Sequence, residues 1–226
     1  MRSRTVFVTL SAFLLLLGSG GWAHQLVPDD GSHVDAASAL VIEDPDLSQV
    51  VYHPVTEQSA EIWLTFDGVE GQEFYMQLGV PYLERLTNYR PALVLLGPGL
   101  PDIETPLDVP EGLGGVAFPS AGVTPEYFNE HFTGTESWIL LEQTYSLPAD
   151  GQYYVVAYHP GGEVGKLWVS VGRREEFGLK DLFTFRAVVM EVREFHEVAD
   201  EPLPPLPFIL VTISDLLRAL FWFLWI

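Results

Sequence analysis

Between residues 59 and 171 apolar side chains recur at every second position in one segment after another, and that period limits what the chain can fold into. In "SAEIWLTFDG", Ile62, Leu64 and Phe66 fall on one side and Glu61, Trp63 and Thr65 on the other. Phe74, Met76 and Leu78 repeat the device in "GQEFYMQLGVP". "PALVLLGPG" is instead a continuous apolar run closed by Gly and Pro, as a strand buried on both faces would be. "SWILLEQTYSL", "GQYYVVAYHPGGE" and "GKLWVSVG" follow, and the Pro-Gly-Gly between the last two suits a hairpin. Short strands at this spacing, rich in aromatic and β-branched residues, predict an antiparallel β-sandwich rather than βαβ units.

Four phrases carry a family resemblance: "IEDPDLSQVVYHPV" (residues 42–55), "RPALVLLGPGLP" (90–101), "YFNEHFTGTESW" (127–138) and "ADGQYYVVAYHPGGEVGKLWVSVGRREEFGLKDL" (149–182). Over residues 39–182 the chain resembles the bacterial pre-peptidase C-terminal domain, and more closely a group of uncharacterised secreted bacterial proteins built on it. Asp150-Gly151-Gln152-Tyr153-Tyr154 is the most specific part of the likeness. The resemblance implies a mainly β, antiparallel jelly-roll-like β-sandwich in an exported protein. It brings no catalytic residues with it.

The ends of the chain suggest where it works. Arg2 and Arg4, then an apolar run from Val6 to Leu17, then small residues up to Ala23, follow the order of an export signal. Cleavage is expected after Ala23, with Gly20 as the second choice. Residues 24–38 read as a flexible polar arm and 39–172 as the sandwich. In residues 173–198, Leu179, Leu182, Phe183, Val189, Val192 and Phe195 recur at helical spacing, so an amphipathic helix follows the sandwich. A proline-rich spacer (199–207) then leads to an almost wholly apolar segment, 208–226. Three arrangements fit this tail: a spanning helix, a helix lying in the interface, or one buried against the protein itself. Membrane attachment is the expectation, through Phe208, Leu216, Leu220, Trp222 and Trp225.

Charge and composition exclude whole classes of function. The formal net charge is −20, and between His24 and Gly165 the only Lys or Arg residues are Arg85 and Arg90. Such a surface repels nucleic acid and anionic polysaccharide, which need a basic footprint. With no cysteine, thiol catalysis, zinc–thiolate sites and iron–sulfur ligation are all absent. There is no Gly-x-Ser-x-Gly elbow, no phosphate loop and no His-Glu-x-x-His.

What remains is sparse. A long Gly/Pro-rich loop, "PGLPDIETPLDVPEGLGGVAFPSAGVTPE", offers Asp102, Glu104, Asp108 and Glu111 to a calcium ion, without the tight spacing of a dedicated loop. If export processing exposes His24, its imidazole and free α-amine offer two nitrogens to copper. His33, His53, His131 or His159 would supply a second imidazole. The N-terminal His resembles that of copper-binding exported sandwiches and lytic polysaccharide monooxygenases in position only. His159, before Pro160, reads as a turn residue, and Glu130-His131 with Glu126 and Glu136 nearby as a possible acid–base group. No catalytic residue or cofactor is assigned, with copper and calcium as alternatives. The leading expectation is a non-catalytic envelope module that binds a partner or glycan and attaches to a membrane. A copper protein using His24 is the first alternative, and a hydrolase with an unrecognised site the second. The intact mass of protein purified from its native host should match a chain starting at His24; any other start removes the basis for copper binding there.

Overall fold

The computed structural model describes residues 24–176, 179–205 and 211–216. The export signal with its cleavage site, and Phe208, Leu220, Trp222 and Trp225 of the tail, lie outside these residues. The elements in chain order are β1 (Gln25–Leu26), β2 (Leu40–Val41), β3 (Gln49–Val55), β4 (Glu61–Gly68) and β5 (Glu73–Pro81). After a 3-10 turn (Glu84–Leu86) come β6 (Ala92–Gly97), β7 (Gly114–Pro119), β8 (Glu126–Glu130), β9 (Thr135–Ser146), β10 (Gly151–Tyr158) and β11 (Gly165–Val171). A helix, α1 (Leu179–Phe195), follows the sandwich.

The strands form two sheets, β1-β3-β11-β5-β9-β8 and β2-β4-β10-β6-β7, packed face to face. The alternating residues do what their period requires. Ile62, Leu64 and Phe66 meet Phe74, Met76 and Leu78 in one interior, where Phe66 and Phe74 stack at 4.2 Å. All pairs are antiparallel except the two short edge strands, β1 with β3 and β2 with β4. The Pro-Gly-Gly segment does not close a hairpin: β10 pairs with β4 and β6, and β11 with β3 and β5. The chain reverses there but passes from one sheet to the other. The Gly/Pro-rich stretch is likewise not all loop, since it contains β7, which pairs along the whole of β6.

Each sheet is covered a second time on its outer side. β6 is buried throughout, with Leu93 and Leu95 in the main core and Val94 and Leu96 in a second cluster with Trp63, Tyr154 and Val156. That cluster is roofed by Leu107, Ile103, Val109 and Leu113 from the long loop, by Ala36 from the arm and by Ala39 just after it. The arm is tied to the sheets at several points along its length. β1 pairs with β3, Trp63 N–H donates to the His33 carbonyl at 2.8 Å, and the Asp29 carboxylate is sealed against His53 Nδ1 at 2.7 Å.

The first sheet receives its outer cover from α1 and the residues after it. Tyr52 of β3 packs on Phe195 and His196, and Trp168 of β11 donates Nε1–H to Ser137 Oγ at 3.1 Å. Gly79 of β5 lies so close to the Trp168 indole that a Cβ there would stand 2.1 Å from a ring carbon. The helix ends in paired closing bonds, Glu197 N–H to the Glu194 carbonyl and Val198 N–H to the Arg193 carbonyl. The residue that turns left-handed is Glu197, at φ 62°, where glycine is usual. Its carboxylate is clasped by Arg85 from the 3-10 turn and by Lys166 of β11, which hold it well below the usual range, at about 2. Residues 211–216 lean back on the same helix, with Val211 packed beside Phe185 and Val189 and Asp215 paired with Arg186 at 3.2 Å. Leu216 points outward, and among the described residues no helix is long and apolar enough to cross a membrane.

Arg193 fastens this cover. It is 1% exposed and donates to the carbonyls of Thr133, Gly134, Val198 and Glu201, tying the β8–β9 turn to the helix end and the segment beyond it. Removing the guanidinium takes a donor from four carbonyls at once, of which that of Val198 keeps the Glu201 N–H. Arg193→Met should lower stability to urea by about 3 kcal/mol or more, and Arg193→Lys should recover less than half of that.

Candidate functional site

Most large side chains are buried, which makes the exceptions informative. Among the described residues the exposed large hydrophobics include only two aromatics, Tyr82 and Tyr127, at 46% and 48% exposure. They touch each other edge to face at 5.3 Å, and both touch half-buried Trp138, at 4.5 and 6.1 Å. The pairing of β8 with β9 explains the cluster. Tyr127 stands opposite Trp138 and Asn129 opposite Glu136, so alternation puts all four on one face. Tyr82 arrives from the end of β5, where its N–H donates to the Glu136 carbonyl at 2.9 Å.

A groove of about 580 Å³ adjoins this cluster and shares Tyr82 with it. Tyr82, Asn129, His131 and Glu136 line one part, and Glu197, Glu201 and Pro204 line another. The Tyr127 hydroxyl donates to Glu136, and that carboxylate pushes the phenol upward from its ordinary range. Flat rings beside a carboxylate and an amide offer apolar faces and fixed hydrogen-bond partners together.

The structure separates the residues suggested by sequence. Glu130 and Glu136 fall on opposite faces of the same hairpin: Glu130 faces α1, and Glu136 faces the groove. They cannot work as one acid–base pair. The loop acids Asp102, Glu104, Asp108 and Glu111 stay exposed and do not converge. His159 is indeed a turn residue, its Nδ1 accepting from Gly161 and Glu163 N–H and its ring stacked on Tyr89.

His24 Nδ1 lies 2.6 Å from Ser48 Oγ, and burial pulls its pKa down to about 4. Among the described residues the one group of three side chains able to ligate a metal is Asp29, Asp30 and His33, without His24. There His33 Nδ1 donates to the Ser38 carbonyl at 2.6 Å, leaving Nε2 on the side of Asp30. His53 is occupied as well, between Asp29 and the Ser59 carbonyl. The aromatic groove was not named from sequence. Its signal lay in the symmetry of "YFNEHFTGTESW" about its own turn, which aligns Tyr127 with Trp138 and Asn129 with Glu136.

No protein-family model matches the chain, and no curated protein matches it. Among solved structures the chain is similar to the pre-peptidase C-terminal domain of collagenase from Bacillus anthracis, at 12% identity and TM-score 0.32, over 59% of this chain and 93% of that one. It is similar to CorA, a surface-associated copper-binding protein of Methylomicrobium album BG8, at 10% identity and TM-score 0.33, over 67% and 100% of the two chains. It is also similar to the secreted protein MopE of Methylococcus capsulatus, in which an oxidised tryptophan facilitates copper binding, at 10% identity and TM-score 0.25, over 53% and 71%. At these identities and scores, neither copper binding nor association with a collagenase passes to this chain.

His196, at one end of the groove, makes stability depend on pH. Its Nδ1–H donates to the Val192 carbonyl and its Nε2 accepts from Ser137, so the ring is satisfied as the neutral form. Burial pulls its pKa down to about 4, against the bond to Val192, which pulls upward. The unfolded imidazole titrates near its ordinary value of about 6.5 and so takes up a proton that the folded one refuses. The contribution is complete above that value and is lost as pH falls towards about 4. Urea titrations should show the wild type losing about 2 kcal/mol more than His196→Gln between pH 7 and 5.

Proposed function

We propose that this chain is a non-catalytic, exported surface module that binds a neutral glycan on the aromatic cluster of Tyr82, Tyr127 and Trp138 and in the groove that adjoins it at Tyr82. The observation that carries this reading is the convergence of the two exposed aromatic rings on a third, beside Glu136 and Asn129. Sugar rings present a C–H face that stacks on an aromatic plane and a rim of hydroxyls that donates to carboxylates and accepts from amides. The net charge of −20 works against anionic polymers and leaves neutral ones. Catalysis lacks comparable support: of the other acids lining the groove, Glu197 and Glu201, the first is already clasped by Arg85 and Lys166. Copper at His24 also lacks support from the groups that surround it.

The export signal in residues 1–23 would deliver the module across a membrane, and the apolar tail from Phe208 would hold it there. Both statements rest on sequence alone.

Sedimentation with insoluble cellulose, chitin and starch tests the reading. At least one of the three should deplete the wild type from solution. Tyr82→Ala with Tyr127→Ala should weaken that binding at least about tenfold, as loss of about 1.4 kcal/mol or more implies. Reducing sugar should not accumulate. Failure to bind any of them, indifference to the double substitution, or release of sugar would each overturn the proposal.

A further inference from the structure

On the other face of the β8–β9 hairpin, between the first sheet and α1, lies a half-open cavity of about 180 Å³. An apolar cavity of about 150 Å³ is enough to take up benzene. Leu26, Val50, Phe132, Phe185, Val189 and Val192 give this one apolar walls. Polar side chains make up the other half of the lining and are unevenly satisfied. Glu130 accepts the Phe132 N–H at 2.9 Å through Oε1, while Oε2 and the Tyr52 hydroxyl have no hydrogen-bond partner among the described residues.

The charged side chains that line the cavity have one sign. Glu130 and Glu176 line it, the latter paired with Arg174 at 3.2 Å, and no Lys or Arg does. The imidazole that lines it, His24, is kept neutral by burial. Burial pushes the Glu130 carboxyl up to about 7, helped by the charge of Glu175, against the Phe132 N–H bond, which pulls it down. A half-buried carboxyl with one oxygen turned to a cavity is favoured as the ionised form when a ligand supplies the opposite charge.

We propose that this cavity binds a small apolar primary amine, with its hydrocarbon body between the Val and Phe side chains and its ammonium on Glu130 and the Tyr52 oxygen. An ammonium brings three donors and no acceptor, matching a carboxylate and a phenol oxygen that lack partners. Phe132 and Phe185 add aromatic faces that attract a cation. The net charge of −20 concentrates cations around the chain. An anionic counterpart of the same size would face Glu130 and Glu176 instead.

Calorimetric titration of the full chain with benzylammonium chloride at neutral pH tests this, with toluene as a probe lacking the charged head and phenylacetate as one of reversed charge. Binding with a dissociation constant below about 1 mM is expected. Glu130→Gln, nearly isosteric, should weaken benzylammonium at least about tenfold and leave toluene uptake unchanged. Val189→Trp, or Val192→Phe should the first not fold, should remove both by filling the chamber. Absence of benzylammonium binding, equal affinity in Glu130→Gln, or phenylacetate binding as tightly as benzylammonium would overturn the proposal.

Discussion

The central strands are apolar on both faces, so each sheet has to be covered twice. Strand β6 shows the constraint most plainly, with Leu93 and Leu95 turned into the sandwich and Val94 and Leu96 turned out of it. An outer face of that kind would be a large exposed apolar patch, and the chain spends its irregular segments preventing it. The long loop and the N-terminal arm roof one sheet. The helix α1, held by Arg193 and by the ion pairs of Glu197, roofs the other.

Both binding regions sit where this covering stops or fits loosely. The aromatic groove lies on the flank at β8, where the first sheet runs out and Tyr127 stays uncovered. The amine cavity lies beneath α1, where helix and sheet leave a chamber around Tyr52 and Glu130. One hairpin serves both, because successive residues of a strand face opposite ways. Glu130 looks towards the helix and Glu136 towards the groove, so two carboxylates close together in sequence belong to different chemistry.

Sequence period revealed the inner walls directly. Ile62, Leu64 and Phe66, and the unbroken run of β6, are buried as their periods predict. Sequence could not show which sheet a strand joins. The Pro-Gly-Gly before β11 specifies a reversal of direction, and a reversal serves a crossing between sheets as well as a hairpin within one. The arm read as flexible because it is polar, yet its Asp29 is paired across 24 positions with His53, a contact that no local pattern announces. Gly114 and Gly115 hid β7 for the same reason: they are poor strand formers whose pairing with Leu96 and Gly97 is decided from outside. The groove needs Tyr82 from one strand end beside Tyr127 from an edge strand, and only the folded sheet order makes them neighbours.

If the covered faces leave the β8 flank as the working surface, a bound sugar must report its position there. Amide resonances followed by NMR during titration with a soluble oligomer of whichever polysaccharide the chain binds would locate it. The account predicts shifts concentrated at Tyr82, at residues 127–138 and at residues 197–204. Shifts clustered on the loop that roofs the second sheet, with the Tyr82 and Tyr127 signals unmoved, would contradict it.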